Sequence, residues 1–421
     1  MKINELKDKK IVIFGYGREG RATLLALRAR GIENIVVTDE KALEVPEFVR
    51  IDEVMADAQT VVIKAPGIPP SNSWIVKWRE AGATITSSTN IFLAERKGRG
   101  KIIGVTGTKG KSTTSALLAH VLATAGLSVK LVGNIGVSSI SEVEAAEETI
   151  FVLEMSSYQL ADLEIAPDIG VILNLYEEHM DWHGSVDEYQ KAKLRLGEMM
   201  TVNDTLVYNP KFPRLVELGE KTEAWPCPID FADREVLHSL KLLGEHNREN
   251  ACAVLEVAKL MQIDEEIVKT AFASFEPLPH RLQFIAEVRG VQFVNDSIST
   301  TPESAMAAID VYADKPLAII LGGQDRGYNF TELAKRLSKI DNVLALVMPG
   351  GERIFAALAD EGVAAERVAT LDEAVEKSLA HLVNGGVCLL SPASPSYGQF
   401  KNFEERGRLF AEAVETRRST T

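Results

Sequence analysis

The sequence predicts a multidomain α/β protein with mostly parallel sheets and helices on both faces. Three observations support this fold class. The chain has 421 residues, more than one ordinary hydrophobic core accommodates. Short apolar runs alternate with helix patterns along most of its length. Two of these runs lead directly into Gly-rich turns and then into helices, at residues 10–30 and 101–122.

The composition argues for a globular protein without a nucleic-acid partner. The chain carries 46 Lys and Arg against 60 Asp and Glu, a formal net charge of −14, whereas binding a phosphate backbone requires a basic face. The start, MKINELKDKK, is polar, and no apolar run approaches the length of a membrane span. Cys227, Cys252 and Cys388 are scattered without metal-ligand spacing. We expect a cytoplasmic, monomeric protein with no membrane partner.

Residues 10–40 are typical of a βαβ unit. KIVIFG is a strand pattern, Gly15, Gly17 and Gly20 give the spacing G-x-G-x-x-G, and NIVVTDE is a second strand ending at Asp39 and Glu40. An acidic residue about twenty positions after the glycines suits a ribose hydroxyl in a dinucleotide fold. The pattern alone indicates that a diphosphate or a close helix can approach the turn. It leaves an NAD-dependent oxidoreductase open.

The stretch from Lys101 to Leu122 predicts a phosphate-binding loop between a strand and a helix. Glycines let backbone N–H groups turn toward a phosphate, the helix N-terminus adds partial positive charge, and Lys111 neutralises phosphate oxygens. Ser112 or Thr113 supplies a hydroxyl for Mg²⁺. Val105 stands where the usual pattern has its first glycine, so a Gly-rich turn with exposed lysines is the alternative. The loop residues are Gly107, Thr108, Lys109, Gly110, Lys111, Ser112 and Thr113.

Three charged residues stand out after this loop. Glu154 and His179 lie near the ends of two apolar runs, where the carboxyl ends of parallel strands present ligand-binding residues. Lys193 lies on the apolar stripe of a helix predicted from Ser185 to Met200, four residues after Tyr189. Because burying an unpaired ammonium is costly, Lys193 either extends to solvent or has a functional partner.

Two connectors divide the chain. ERKGRGK, residues 95–101, is charged and contains glycine, and FEPLPHRLQF, residues 275–284, contains two prolines. Beyond the second connector, strand and helix patterns alternate again over an ordinary domain length. These features predict domains at 1–97, 98–277 and 278–421.

Ten motifs, in order along the whole chain, resemble those of the Mur ligase family. They are GVTGTKGKST, VGNIG, LEMSSYQL, NLYEEHMDWH, YQKAKLR, GEHNRENA, LPHRLQF, NDSISTTPES, LGGQDRG and SPASPSYGQFKNFEERG. One such motif is a weak signal, whereas ten in order are highly specific.

The resemblance implies three domains and assigns a ligand to each. An N-terminal Rossmann-like domain would hold a uridine nucleotide, a central P-loop domain ATP, and a C-terminal Rossmann-like domain an amino acid. The residues matching the UDP-substrate site are Gly15, Gly17, Arg18, Glu19, Asp39, Glu40, Pro66, Gly67 and Asn134. Those matching the ATP site are the loop residues 107–113 together with Asn247, Asn250, His280 and Arg281.

The implied reaction is ATP-dependent joining of glutamate to UDP-N-acetylmuramoyl-L-alanine in peptidoglycan synthesis, through an acyl phosphate. Lys111, Glu154, His179 and Lys193 would be catalytic. Two Mg²⁺ ions would be held by Ser112, Glu154, His179 and Lys193, the last as a carbamate, which turns a cation into an oxygen ligand. A folylpolyglutamate synthase-like ligase is a more distant alternative.

The resemblance places glutamate at Thr300, Arg326, Ser396 and Phe403. This chain departs from the pattern of D-glutamate ligases, which have N-D-S-K-A-T where it reads Asn-Asp-Ser-Ile-Ser-Thr, so that Ile298 replaces a lysine. Arg326 likewise stands in place of a lysine and offers a planar fork for a carboxylate. D-glutamate is the default expectation and L-glutamate the alternative.

Overall fold

The computed structural model describes residues 1–419 and confirms the α/β class. The chain forms two compact units, the first made of Met1–Lys241 and Glu249–Phe275, the second of Leu242–Arg248 and the chain from Glu276 onward. No helix within the described part is long and apolar enough to cross a membrane. The predicted boundaries at 97 and 277 stay predictions, and the last two residues of the range 278–421 lie outside the described residues.

The first sheet is parallel, with strand order β2-β1-β3-β4. After β1 the chain forms β2 on one side of it, and then crosses back to form β3 and β4 on the other side. The strand order therefore reverses between β1 and β3. In open α/β sheets a crevice for ligands lies at such a point, outside the carboxyl ends of the strands. The elements are β1 Lys10–Phe14, α1 Arg18–Ala29, β2 Ile35–Thr38, β3 Thr60–Lys64, α2 Ser73–Glu80, β4 Thr84–Thr86 and α3 Ser88–Arg96.

The second sheet, also in the first unit, is parallel with order β10-β9-β8-β5-β7-β6. Here the order reverses between β5 and β8, so the loops after those two strands border the crevice. The strands are β5 Lys101–Thr106, β6 Val129–Gly133, β7 Ile150–Glu154, β8 Ile169–Ile172, β9 Thr205–Tyr208 and β10 Trp225–Pro228. The helices are α4 Lys111–Thr124, α5 Ser157–Leu160, α6 Met180–His183, α7 Val186–Glu198, α8 Pro213–Lys221, α9 Glu245–Leu260 and α10 Glu265–Ser274.

The edge strand β10 has the sequence Trp-Pro-Cys-Pro. The amides of Trp225 and Ile229 donate to the carbonyls of Asp204 and Tyr208, 3.0 and 2.8 Å away. Alternate amides of a strand point to opposite sides, so Pro226 and Pro228 occupy the positions whose N–H would face outward.

The third sheet, in the second unit, has order β11-β12-β16-β13-β14-β15. All its pairs are parallel except β11 with β12, an antiparallel hairpin that the sequence reading did not predict. Arg289 and Gly290 both have positive φ, 52° and 79°, as the two-residue turn of a tight hairpin requires. The strands are β11 Gln283–Val288, β12 Val291–Asn295, β13 Leu317–Leu321, β14 Val343–Val347, β15 Ala365–Arg367 and β16 Gly386–Leu390. The helices are α11 Pro302–Asp310, α12 Thr331–Leu337, α13 Glu352–Asp360, α14 Leu371–His381 and α15 Phe403–Ser419, and short 3₁₀ turns occur at Ile3–Leu6, Ile51–Glu53, Ser139–Glu142 and Glu235–Ser239.

Candidate active site

The phosphate loop predicted from the sequence connects β5 to α4. Gly107 and Gly110 have positive φ, 154° and 84°, so a side chain at either position would be strained. The Lys111 ammonium curls back over the loop and donates to the carbonyls of Gly107 and Thr108, both at 2.9 Å. The loop is therefore closed on itself, with its backbone ready to face an anion at the N-terminus of α4.

Asn174 holds this loop from the end of the neighbouring strand, and the sequence reading did not place it in the site. Its side-chain oxygen accepts from the Lys109 amide at 2.8 Å, and its amide donates to the Lys109 carbonyl at 3.0 Å. Its own carbonyl accepts from the Thr108 amide at 3.1 Å. The only sequence signal was its position at a strand end, because β5 and β8 become neighbours only in the folded sheet.

Thr108 is fixed by its side chain as well. Its hydroxyl accepts from the Tyr176 amide and from the Tyr189 phenol, each at 2.9 Å. Burial raises the pKa of Tyr189 well above its ordinary value and outweighs the hydrogen bond to Thr108, which would lower it, so the phenol stays a neutral donor. Loop conformation thus depends on α7 as well as on β8.

Lys193 is buried and does not extend to solvent. Only 1% of the residue is exposed, and its amine donates to the Gly107 carbonyl at 2.9 Å while lying over the Tyr189 ring. Burial, and then the neighbouring Lys111 cation, lower the pKa of Lys193 well below its ordinary value. Extension to solvent, one of the two alternatives that the sequence left open, is therefore wrong, and a functional role for Lys193 stays a prediction.

Glu154 ends β7 with an unsatisfied carboxylate. The residue is fully buried, and one oxygen accepts from the Asn134 amide at 2.7 Å. The other, Oε2, has no hydrogen-bond partner among the described residues. A buried, unpaired carboxylate oxygen is costly unless a cation balances it, so this position fits a Mg²⁺ ligand. Asn134, expected at the UDP substrate, has its side chain on this carboxylate.

Two ionisable residues just before α6, Glu178 and His179, lie close to the phosphate loop. The Lys109 ammonium and the Glu178 carboxylate are 2.6 Å apart, and His179 Nε2 is 3.7 Å from Glu178. Burial would raise the pKa of Glu178, but Lys109 outweighs it and the pKa is lowered. Burial lowers the pKa of His179, with Lys111 and Lys193 adding to the effect, which favours the neutral imidazole. His179 adopts φ 57°, an uncommon conformation for a residue with a side chain.

Residues 1–419 contain no group of three or more His, Cys, Asp or Glu side chains arranged to hold a metal ion. A cation at Glu154 would therefore need other oxygen ligands, such as phosphate, water, the Ser112 hydroxyl or a carbamate on Lys193. That is the usual situation for Mg²⁺, which keeps several waters and binds with substrate phosphates. The roles of Ser112, Glu154, His179 and Lys193 as ligands stay predictions.

The crevice of the first sheet lies between the turn after β1 and the loop after β3. A Cβ added at Gly15, where φ is 92°, would lie 2.7 Å from the Ala65 Cβ, so only glycine allows this approach. The Tyr16 amide donates to Asp39 at 2.7 Å. Asp39 therefore shapes the turn, whereas Glu40 is exposed.

Arg18 and Glu19 connect this sheet to the next one. Arg18 donates to the Gly133 carbonyl at 2.7 Å, and Glu19 accepts from the hydroxyls of Ser88 and Ser138 at 2.9 and 2.7 Å. These contacts give both side chains a structural role. Contact with a UDP substrate remains a prediction for them, as for Gly17, Pro66 and Gly67.

In the second unit, a buried arginine organises the crevice between β13 and β16. Arg406, 2% exposed, donates to the Ser297 hydroxyl and carbonyl at 3.0 and 2.8 Å and to the Ser394 carbonyl at 3.1 Å. Burial lowers the pKa of Arg406 to about 10. The sequence reading missed it, because a lone arginine in a charged helix pattern resembles a solvated residue.

The residues predicted to bind glutamate lie on or beside the loops of Ser297 and Ser394, which Arg406 connects. Ser396 is buried, Thr300 is partly buried, and the Phe403 carbonyl accepts from the Ser297 hydroxyl at 2.8 Å. Arg326 is exposed, and its Nε donates to Gln324 at 3.0 Å. The role of Arg326 at the amino-acid substrate stays a prediction, as it does for Thr300, Ser396 and Phe403.

The remaining ATP-site predictions are distributed over both units. In the first unit, Asn250 lies against the phosphate loop, since a Cβ at Gly110 would come within 2.3 Å of its amide oxygen. In the second unit, the Asn247 amide donates to the Leu243 carbonyl at 2.7 Å. His280 has φ 64° and lies 3.0 Å from the Asn295 amide. The role of these residues and of Arg281 at ATP stays a prediction.

Comparison with known proteins identifies the family. Residues 105–229 match the family model described as the Mur ligase middle domain, and residues 280–394 match the Mur ligase, glutamate ligase domain. The UDP-N-acetylmuramoyl-L-alanine--L-glutamate ligase of a Micromonospora species is 36% identical, with 98% of each chain covered. The UDP-N-acetylmuramoylalanine--D-glutamate ligase of Streptococcus pneumoniae is 32% identical, again with 98% of each chain covered. This chain belongs to the Mur ligase family.

Solved Mur ligases share the fold. The UDP-N-acetylmuramate-alanine ligase MurC of Thermotoga maritima superposes with a TM-score of 0.62 at 19% identity, covering 98% of this chain and 100% of its own. The MurF ligase of Thermotoga maritima, in complex with ADP, gives 0.62 at 17% identity, covering 99% and 97%. This Mur ligase is thus an ATP-dependent enzyme that forms amide bonds, which confirms the predicted class and excludes the oxidoreductase alternative.

Proposed function

We propose that this Mur ligase joins L-glutamate to UDP-N-acetylmuramoyl-L-alanine, using ATP, in peptidoglycan precursor synthesis. The main structural support for an ATP-dependent reaction is the closed phosphate loop. The Lys193 amine and the unpaired Glu154 oxygen are both buried near this loop. The relatives that match over the full chain are named as glutamate ligases of this substrate.

In the proposed reaction, the L-alanyl carboxylate attacks the γ-phosphorus of ATP, and ADP leaves. The glutamate amine then attacks the acyl phosphate, and the tetrahedral intermediate expels phosphate. Lys111 and the backbone N–H groups of the loop bind the phosphates and balance the charge that develops during transfer. Mg²⁺, when bound through Glu154, supplies Lewis-acid neutralisation of phosphate oxygens.

The test of this reaction is ADP release from the full chain with a panel of amino acids. We expect ADP only when UDP-N-acetylmuramoyl-L-alanine and glutamate are both present with ATP and Mg²⁺. Release with an unrelated acceptor, or no release with either glutamate enantiomer, would contradict the proposal.

The choice of L-glutamate rests on relatives and on the loop after β12. Relatives from Micromonospora and Xanthomonas euvesicatoria, 36 and 35% identical, are named L-glutamate ligases, whereas the pneumococcal D-glutamate ligase is 32% identical. In this chain the loop contains Ile298, which is apolar and partly buried. It ends at Thr301, whose side chain caps α11 by accepting from the Ser304 amide. The cation opposite the amino acid would come from Arg326. This reverses the order of the two enantiomers expected from the sequence.

Comparing kcat/KM for L- and D-glutamate tests the stereochemistry. We expect a clear preference for L-glutamate that weakens in Arg326→Lys, since lysine cannot grip a carboxylate with two parallel bonds. Arg418→Lys, an exposed arginine near the end of α15 that, among the described residues, pairs only with Glu415 on its own helix, is the control. A preference for D-glutamate in the wild type would refute the assignment while leaving the ligase reaction intact.

We also propose that Lys193 carries a carbamate. The buried amine lies 2.9 Å from the Gly107 carbonyl, so CO₂ added there would place two oxygens beside the phosphate loop. Lys193→Ala is expected to lose activity and regain part of it with added formate or acetate. Lys191→Ala, exposed on the same helix, should keep full activity. A ¹³CO₂-derived carbamate resonance present in the wild type and absent in Lys193→Ala is the direct readout, and its absence from the wild type would refute the proposal.

A further inference from the structure

One hydrogen bond joins the loop after β3 to the segment that carries His179. The Trp182 indole Nε1 donates to the Gly67 carbonyl at 2.8 Å. Gly67 lies at the crevice of the first sheet, and Trp182 lies on α6, three residues after His179. Both ends of this contact belong to the first unit.

The Gly67 end of the contact is held firmly. Lys64, whose side chain is 1% exposed, donates to the Ile68 carbonyl at 2.9 Å and pairs with Asp162 at 2.5 Å. A buried ammonium with two partners cannot move without losing them in a low-dielectric surrounding. Residues 65–68 therefore form a stiff loop, one face of which is pressed against Gly15.

The Trp182 end has little stability of its own. The helix α6 is a single turn, Met180–His183, and such a helix needs tertiary contacts to persist. The Trp182 ring packs on Tyr158 with centroids 4.8 Å apart, and Tyr158 also contacts the His179 ring at 5.1 Å. The position of His179 thus depends on where Trp182 is anchored.

The same segment reaches the phosphate loop at its other end. Glu178, next to His179, pairs with Lys109 at 2.6 Å, and Lys109 is the residue held by Asn174. A continuous path of contacts therefore runs from Gly67 through Trp182 and Glu178 to Lys109.

We propose that Trp182 is a positioning residue that couples occupation of the UDP-substrate crevice to the placement of His179 and to the phosphate loop. This inference rests on the proposed function, because it takes the loop at Gly67 as part of the UDP-substrate site. Because the Gly67 loop is already held, a UDP substrate bound against it favours the state in which α6, the less stable end of the contact, is anchored to the loop through Trp182. By linkage, a nucleotide on the phosphate loop then raises the affinity for the UDP substrate, and the reverse also holds.

The test uses Trp182→Phe, which keeps an aromatic ring beside Tyr158 but removes the indole donor together with part of the ring area. Trp225→Phe is the matched control, since Trp225 is 71% exposed on β10. Affinity for UDP-N-acetylmuramoyl-L-alanine is measured by titration calorimetry with and without a non-hydrolysable ATP analogue, and KM and kcat are measured for each substrate.

In the wild type the analogue should tighten binding of the UDP substrate. Trp182→Phe should reduce that enhancement, raise the KM for the UDP substrate roughly five- to tenfold, as loss of one hydrogen bond implies, and lower kcat. The KM for glutamate should not change. A general loss of structure would instead disturb every parameter and lower the unfolding midpoint.

Two results would overturn the inference. One is an enhancement in Trp182→Phe equal to that of the wild type. The other, which needs no variant, is unchanged amide hydrogen exchange at residues 178–183 of the wild type when the UDP substrate is added. A wild type that does not bind the UDP substrate at all would refute the proposed function and the inference together, so the two failures are distinguishable.

Discussion

Asn174→Ala should weaken ATP binding without unfolding the protein. The change deletes two side-chain hydrogen bonds to the Lys109 backbone, at 2.8 and 3.0 Å, and spares the bond from the Thr108 amide to the backbone carbonyl of residue 174. Each lost bond is worth about 1 kcal/mol net, so the closed loop becomes less favourable by about 2 kcal/mol.

A destabilisation of about 2 kcal/mol lowers the population of the closed loop by at most about 30-fold. Since apparent affinity falls with the fraction of competent protein, the dissociation constant for ATP should rise by up to about 30-fold. Asn174→Asp should be worse, because its second oxygen would face the Lys109 carbonyl and no donor would remain.

Titration with a fluorescent ATP analogue measures the effect, and calorimetric unfolding checks the fold. Asn34→Ala is the matched control, because Asn34 is exposed before β2 and its amide makes only a 3.5 Å contact with Lys9. If Asn174→Ala is folded and binds the analogue as the wild type does, the two Asn174 hydrogen bonds to Lys109 do not determine the conformation of the phosphate loop.

Three further predictions concern other parts of the molecule. Lys111→Ala should lower kcat at least 100-fold in a protein that calorimetry shows to be folded, since phosphate charge is left unbalanced. Lys101→Ala, exposed on β5, should leave kcat unchanged. Burial raises the pKa of the Asp296 carboxyl from 3.8 to about 6, so the folded protein binds the carboxyl proton more tightly than the unfolded chain does. The protonated carboxyl therefore stabilises the fold at low pH, and this contribution is lost as the pH rises from about 4 through 6. Calorimetry from pH 3 to 7 should therefore show the wild type losing about 3 kcal/mol relative to Asp296→Asn, and parallel pH profiles would contradict the assignment. Gly15→Ala should weaken UDP-substrate binding in calorimetry by more than Gly31→Ala, because both glycines have positive φ but only Gly15 has a neighbour within 4 Å; equal losses would show that backbone strain alone is responsible.

The features that the sequence could predict are those formed by residues close together in the chain. The phosphate loop was predictable because its glycines, its lysine and the adjoining helix are consecutive, and backbone conformation is decided within that short stretch. Helical periodicity likewise predicted that Lys193 lies on a buried face. It did not reveal the acceptor, the Gly107 carbonyl, which is 86 positions away in the chain.

What the sequence could not predict depends on which strands become neighbours. Asn174 is 65 positions from Lys109 and meets it only because β8 pairs with β5. Arg406 is surrounded by charged residues in the sequence, so its burial became evident only once the loops of Ser297 and Ser394 converged on it. The hairpin of β11 was missed because Arg289, a residue rarely found at positive φ, occupies half of its turn.

The prolines of β10 make this edge of the sheet a poor template for pairing with another chain. The outer side of this strand offers no N–H at Pro226 or Pro228, so an extended segment from another molecule cannot complete a hydrogen-bonded ladder there. Trp225, 71% exposed on the same edge, would otherwise be an attractive site for such pairing. We therefore expect that this exposed edge does not support association of two molecules through paired strands.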